Sequence, residues 1–118
     1  MNTQINLTYK GVNYTLEYNR MAIKYIESQG FILDEFSTQP MSMIELAFKG
    51  AFYKNHRKVS HTLIEEIYDH CPDKDGLIEK ITAMIAECYS SLMDNPEEGD
   101  EGNATWEVVD LTPKSNQK

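Results

Sequence analysis

Alternating apolar and polar residues around Lys10-Gly11 constrain the start of this chain most strongly. Apolar or aromatic side chains take every second position on either side of that pair: Ile5, Leu7 and Tyr9, then Val12, Tyr14, Leu16 and Tyr18. A period of two indicates strands with one buried face, and Gly11 supplies the positive φ that a tight turn needs. The pattern predicts a β-hairpin, and because a lone hairpin is marginal in water, helices must cover its apolar face.

Apolar residues at helical spacing follow the hairpin and predict about four helices. Residues typical of helix ends give the expected bounds: Asn19 to Gly30, 40–54 with Ser37 or Thr38 as cap and Pro40 in the first turn, Ser60 to Pro72, and Asp75 to about residue 93. The apolar stripes expected to face the core are Met21, Ala22, Tyr25 and Ile26; Met41, Ile44, Phe48, Ala51 and Phe52; Leu63, Ile64, Ile67, Tyr68 and Cys71; and Leu77, Ile78, Ile81, Ile85, Cys88, Tyr89 and Leu92, flanked by Met84 and Met93. In the connector 31–40, apolar side chains are expected to attach the chain to the core: Phe31, Ile32, Leu33 and Phe36. The predicted fold is therefore α+β, an antiparallel hairpin packed on about four helices.

The composition changes at residue 94. Five of the eight net negative charges lie in 94–118, and 94–103 combine Pro, Gly and acidic residues with almost no apolar ones. Such a segment cannot bury enough surface to offset the entropy of ordering it. We expect a single domain over 1–93 and a flexible acidic tail over 94–118.

An apolar segment interrupts this acidic tail and consists of Trp106, Val108, Val109 and Leu111. Its alternation is typical of an extended strand at 104–111, and Trp is a favoured interface anchor. The segment either adds to a partner's sheet or folds back as a third strand of this chain's own sheet. Both interpretations stay open at this stage.

A basic cluster stands out in the otherwise acidic chain: Lys49, Lys54, Arg57 and Lys58, with His56. It is interpreted either as a docking patch for an acidic partner, or as a solvated connector with favourable charge at a helix C-terminus, or as a patch that transiently attracts the acidic tail. The candidate partner-binding residues are Trp106, Val108, Val109, Leu111, Lys54, Arg57 and Lys58.

The sequence predicts no catalytic residues, no metal site and no cofactor. His56 and His61 are five residues apart across a predicted connector, and adjacent His70 and Cys71 would diverge on a helix, whereas zinc sites use close pairs that aim at one ion. Neither a Gly-x-Ser-x-Gly elbow nor a Gly-rich phosphate loop occurs. Cys71 and Cys88 are expected to be half-buried thiols, and we expect no enzyme activity.

Charge and hydropathy bear on partners and location. The net charge of −8 disfavours nucleic acid, because phosphate backbones are bound mainly by Lys and Arg. The chain shows neither a membrane-spanning stretch nor an apolar leader at its start, which predicts a cytosolic protein without membrane contact. Two alternatives are a small DNA-binding regulator with a helix-turn-helix-like pair at 60–93, and an acidic inhibitor that mimics nucleic acid.

The order of these elements resembles a known family. The motifs that carry the resemblance are I-N-L-T-Y-K-G-V-N-Y-T-L-E-Y-N (Ile5 to Asn19), M-A-I-K-Y-I-E (Met21 to Glu27), I-E-L-A-F-K-G-A-F (Ile44 to Phe52), S-H-T-L-I-E-E-I-Y-D (Ser60 to Asp69) and L-I-E-K-I-T-A-M-I-A-E (Leu77 to Glu87). Over residues 3 to about 93 the chain resembles the tail assembly chaperones of long-tailed bacteriophages and prophages of Gram-positive bacteria.

The resemblance implies a protein that binds the tape measure protein and the tail tube protein during tail assembly and keeps them soluble. It implies action in the host bacterial cytoplasm and absence from the mature virion. The family brings no catalytic or metal residues to this sequence, and a homo-oligomer stays open.

Overall fold

A hairpin and four helices make up the computed structural model, which describes residues 3–96, 99 and 101–111. The elements within these residues are β1 (Ile5–Tyr9), β2 (Val12–Leu16), α1 (Arg20–Ser28), α2 (Pro40–Tyr53), α3 (His61–Asp69) and α4 (Lys74–Leu92), with a 3-10 turn at Leu33–Glu35. The strands pair antiparallel. The predicted α+β fold is confirmed.

The hairpin turns at Lys10 and Gly11, whose φ angles of 51° and 80° are both positive. Tyr9 pairs with Val12 directly across this two-residue turn. Positive φ at both turn positions matches the right-handed twist of the strands. Leu16 is buried as predicted, whereas Val12 is exposed, because it flanks the turn at the tip of the hairpin.

Two of the predicted helix caps are confirmed by hydrogen bonds. The Asn19 side chain accepts from the Ala22 N–H at 2.8 Å, and the Ser60 hydroxyl accepts from the Leu63 N–H at 3.1 Å. These bonds satisfy N–H groups that have no partner within the first helical turn. Local sequence was sufficient to place both starts.

The cap of α2 differs from the prediction. Gln39 is the cap residue and its side chain makes no capping bond, while the Thr38 hydroxyl donates to the Glu35 carbonyl at 3.3 Å. The Thr38 hydroxyl is therefore bonded within the preceding turn and does not cap α2. Pro40 does begin the helix, as predicted, where its missing N–H costs nothing.

The junction of α3 and α4 also lies differently. Helix α3 ends at Asp69, three residues before Pro72, and Cys71 lies in the connector instead of on the helix. Asp73 caps α4 by accepting from the Gly76 N–H at 3.2 Å, so the predicted cap, Asp75, lies in the first turn. A carboxylate is favourable both at the cap and in the first turn of a helix, and Asp73 occupies the cap of α4.

Helix α2 is buried around most of its circumference. Its buried residues are Met43, Ile44, Ala47, Phe48, Gly50, Ala51 and Phe52. The predicted stripe is correct except for Met41, which is 67% exposed in the first turn. Helices α1, α3 and α4 and strand β2 all contact α2, so the helix is the centre of the core.

Two other predicted core positions are wrong. Met21 lies on the solvent side of α1, and Ile23 is buried there instead. In the connector, Phe31 is buried while the neighbouring Ile32 is exposed. Both errors occur where the apolar stripe is wider than the face that the core covers.

The segment at 104–111 has no regular secondary structure, and β1 and β2 alone form the sheet of the described residues. A third strand on the chain's own sheet is therefore not what the structure has. The predicted disorder of 94–103 and the boundary at residue 93 stay predictions, since 97, 98, 100 and 112–118 lie outside the described residues. No helix in the described part of the chain is long and apolar enough to cross a membrane.

Gly50 allows α1 and α2 to approach closely. A Cβ atom placed on Gly50 would overlap Cγ2 of Ile26, which is fully buried in α1. A β-branched, fully buried side chain has little room to move. Glycine is therefore required here by packing, although it weakens a helix interior by about 1 kcal/mol relative to alanine.

Gly50→Ala should therefore destabilise the protein, by about 1–2 kcal/mol, because the overlap with Ile26 outweighs the gain in helix propensity. Ser42→Ala is the matched control, since Ser42 is exposed on the same helix. It should leave stability unchanged or raise it slightly. Urea unfolding followed by circular dichroism measures both, and a stabilised Gly50→Ala variant would contradict the close approach.

A candidate protein-binding surface

The predicted apolar segment is exposed in the structure. We call residues 106–111 the apolar arm: Trp106 is 87% exposed, and Val108, Val109 and Leu111 are exposed as well. Single exposed apolar residues are common, but here four lie within six positions of one segment. The arm therefore presents apolar side chains to solvent where a binding partner can cover them.

The basic cluster is largely occupied by contacts within the protein. Lys54 Nζ lies 3.0 Å from Glu17 Oε1, and the Asn55 amide donates to Glu17 Oε2 at 2.8 Å. The hydrogen bond from Asn55 and the one from Lys54 hold the pKa of the Glu17 carboxyl below its usual value. These contacts fasten the connector after α2 to the end of β2.

Arg57 and His56 also make contacts within the protein. The Arg57 guanidinium lies 4.3 Å from the centre of the Tyr53 ring, and its Nε donates to the Tyr53 carbonyl. His56 Nε2 accepts from the Thr15 N–H at 2.9 Å, so this ring nitrogen holds β2. Lys58 is exposed. The geometry therefore favours one interpretation of the basic cluster, a connector with favourable charge at a helix C-terminus, over another, a docking patch.

Among the residues that the structure describes, no hydrogen bond, ion pair or ring contact joins the two predicted sets of binding residues. Lys54 pairs with Glu17 and Arg57 with Tyr53, while the arm's apolar side chains face solvent. The two sets are therefore separate features, and the arm is the stronger candidate for a binding element.

A groove between α2 and α3 was missed by the sequence analysis. It has a volume of about 250 Å³ and is lined by Met41, Ile44, Phe48, Ile64 and Tyr68, with Glu45, Lys49, Glu65 and Asp69 also in the lining. We call it the α2–α3 groove. The spacing of Met41 fits the buried stripe and predicts a core position, but the packing of α3 leaves Met41 in an open groove.

The titratable groups near the core serve packing. Burial and a hydrogen bond to Glu27 raise the pKa of Tyr89 to about 12, and burial raises the pKa of Tyr18, whose hydroxyl donates to the Ala47 carbonyl. Burial also raises the pKa of the Cys71 and Cys88 thiols, both of which are half-buried as predicted. A raised thiol pKa lowers the fraction of nucleophilic thiolate. Within the described ranges no cluster of three His, Cys, Asp or Glu residues is arranged to hold a metal ion.

The helix-turn-helix-like alternative involves α3, α4 and the connector 70–73. Lys74 at the start of α4 donates to the carbonyls of Asp69 and Cys71, so its ammonium group is occupied. Asp75 and Glu79 follow on the same helix. Carboxylates there oppose a phosphate backbone, which disfavours the DNA-binding alternative.

These features define a small α+β domain with an exposed arm and open grooves. The chain belongs to the family described as a domain of unknown function (DUF5055), which matches residues 1–109. Comparisons with curated proteins and with solved structures find no match. The family match spans the hairpin, all four helices and the arm as far as Val109, so the arm lies mostly within the family's domain.

Glu17→Gln should lower the free energy of unfolding at pH 7 by about 1 kcal/mol, because the charge that Lys54 and Asn55 contact is lost. The folded-state pKa of Glu17 is below the ordinary value of about 4.3, so this stabilisation is present above that pH and is lost as the pH falls through the lowered pKa. The difference between the variant and the wild type should therefore narrow as the pH falls from neutral into this range. Urea unfolding over a pH series measures it.

The matched control is Glu79→Gln on the exposed surface of α4, for which we expect little change at any pH. A difference for Glu17→Gln that stays the same at every pH would show that the carboxylate charge contributes nothing.

Proposed function

We propose that this protein is a phage tail assembly chaperone, which binds the tape measure protein and tail tube subunits and keeps them soluble and ready to assemble. The resemblance of residues 3 to about 93 supports the class of protein. The observation that carries the binding role is the exposed apolar arm, with Trp106 at 87% exposure.

Exposure of the arm has a free-energy cost that binding would remove. Burial of apolar surface yields about 25 cal/mol per Å², and Trp buries a large area with few rotatable bonds. Trp is also over-represented among the residues that dominate interface energies. The arm thus supplies a short, adaptable element that can cover apolar surface on an unassembled partner.

Methionine exposure supports the same role. Of the five methionines in the described residues, Met43 and Met84 are buried, whereas Met21, Met41 and Met93 are exposed. Methionine is flexible and polarisable and adapts to irregular apolar surfaces. The exposed three are available to a partner of variable sequence.

The acidic charge suits a protein that must keep such a partner in solution. The net charge is −8 for 118 residues. Complexes that carry this charge repel one another, which opposes aggregation of a long and apolar partner. The exposed arm provides contact, and the acidic surface provides colloidal stability.

Co-expression with the cognate tape measure protein tests the proposal. The wild-type chain should keep the tape measure protein in the soluble fraction and co-purify with it. The double variant Trp106→Ser, Val109→Asp should weaken binding about tenfold or more, because it removes an aromatic anchor and places a charge in the apolar surface.

Ile32→Ser is the matched control, because Ile32 is also an exposed apolar residue but lies outside the arm and is not one of the exposed methionines. It should bind like the wild type. If the wild-type chain neither binds nor solubilises its cognate tape measure protein, the proposed function is wrong. If the double variant binds as well as the wild type, the arm is not the binding element.

A further inference from the structure

The two long edges of the hairpin differ in their hydrogen bonding. In an antiparallel pair with a two-residue turn, the residues that flank the turn exchange hydrogen bonds, and every second pair along the strands does the same. Tyr9 pairs with Val12 and Leu7 with Tyr14, so these residues bond across the hairpin. The backbone groups of the intervening residues point outward, away from the partner strand: Asn6 and Thr8 on β1, Asn13 and Thr15 on β2.

The outer edge of β2 is covered by the connector that follows α2. The Thr15 N–H donates to His56 Nε2 at 2.9 Å, and the Thr15 carbonyl accepts from the Asn55 amide at 3.1 Å. Beyond the strand, the Glu17 N–H donates to the Ala51 carbonyl at 3.1 Å. These contacts occupy the outward backbone groups of Thr15, so a further strand cannot pair along the full length of β2.

The outer edge of β1 is open. The outward N–H and C=O groups of Asn6 and Thr8 make no hydrogen bond to any other residue that the structure describes. Such a row of unpaired backbone groups is a template for another extended segment. The hairpin therefore has one strand-accepting edge.

A groove runs along this open edge, between β1 and the α3–α4 connection. It has a volume of about 270 Å³ and is lined by Ile5, Asn6, Leu7, Thr8, Tyr9, Ile67, His70, Cys71, Pro72 and Leu77. We call it the β1 groove. A strand paired with β1 would direct every second side chain into it. Backbone bonding and apolar burial are thus available at the same place.

The apolar arm has the chemistry that this site requires. Its six residues are enough to pair with all five of β1, and in an extended chain Val109 and Leu111 lie on one face while Trp106 and Val108 lie on the other. The arm is acidic at Glu107 and Asp110, and none of the described residues that line the β1 groove carries a carboxylate. The α2–α3 groove, by contrast, includes three carboxylates in its lining and would repel the arm.

We propose that the open edge of β1 accepts residues 106–111 from a second copy of this chain as an added β-strand. Each copy carries both a donor arm and an acceptor edge, and the arm is not seated on its own edge in the structure. Reciprocal exchange satisfies both under two-fold symmetry, as in domain swapping. The inference concerns this chain alone and does not rest on the identity of its partners.

The oligomeric state of the full-length chain tests the proposal, with Trp106 as the reporter. Sedimentation velocity over a wide concentration range should show a monomer that becomes a dimer. Tryptophan emission should shift to the blue over the same range, because a strand paired with β1 places the indole, which lies on the opposite face of the arm from Val109 and Leu111, against the outer face of the hairpin. Trp106 is the sole tryptophan, so the emission reports on the arm.

Thr8→Pro and Asn13→Pro form a matched pair of variants. Thr8 and Asn13 lie opposite each other, and the N–H groups of both point outward. Each substitution removes one partner of the hydrogen bond that Thr8 Oγ1 donates to Asn13 Oδ1 at 2.7 Å, so both variants lose the same side-chain contact. Only Thr8→Pro alters the open edge, so it should weaken dimerisation about tenfold or more while Asn13→Pro leaves it unchanged. Circular dichroism checks that both variants fold.

An arm variant keeps the test decisive if either proline disrupts the hairpin. Val109→Glu lies at an exposed position, so it should not affect folding, yet it should abolish the dimer and the blue shift. The proposal is overturned by a monomer at all concentrations, by blue-shifted emission from a monomer, which would place the arm on its own edge, or by a dimer that Val109→Glu leaves intact.

Discussion

Burial of helix α2 on most of its sides is the constraint on which the rest of this structure depends. Helices α1, α3 and α4 and strand β2 each contact it, and the hairpin needs such a cover because two strands alone are marginal in water. Phe48 and Phe52 are almost fully buried, with their ring centroids 5.2 Å apart in an edge arrangement. Gly50 allows α1 to approach, so one missing side chain sets the distance between two helices.

The way α2 ends decides which surfaces stay available. The connector after it turns Asn55 and His56 onto β2 and pairs Lys54 with Glu17. These contacts close one edge of the hairpin and use much of the basic cluster. As a result, the opposite edge, β1, is left as the open one, with a groove of about 270 Å³ beside it. A polar connector thus creates the asymmetry on which the strand-exchange proposal is based.

The two proposals assign different uses to one element, the apolar arm. In the chaperone proposal the arm contacts an unassembled tail protein, and in the strand-exchange proposal it pairs with a second copy. Both follow from the same physical fact, since exposed apolar side chains on an extended segment favour any edge or groove that covers them. A dimer would shield the arm until a partner competes for it. The family match extends through Val109, so most of the arm lies within the family's domain.

The sequence by itself determined the elements whose causes are local. The two-residue period and Lys10-Gly11 predicted the hairpin, and Asn19 and Ser60 marked helix starts, because a strand's alternation, a turn and a cap each depend on a few neighbouring residues. The sequence also marked the arm as an apolar segment within an acidic tail, although it left open whether the arm folds back onto the sheet. None of these features needs contacts between distant residues.

Only the tertiary structure decided which face of each element is covered. Periodicity shows that Met41 shares a stripe with Ile44, but the packing of α3 leaves Met41 exposed. The residue type of His56 is compatible with a metal ligand or a docking group. The fold instead places its Nε2 2.9 Å from the backbone nitrogen of Thr15, which lies 41 positions earlier in the chain, so the ring covers the edge of β2. The open edge of β1 was equally invisible, because it depends on where the end of α2 lies. Local patterns specify which side chains share a face, whereas burial and edge pairing depend on residues brought together by folding.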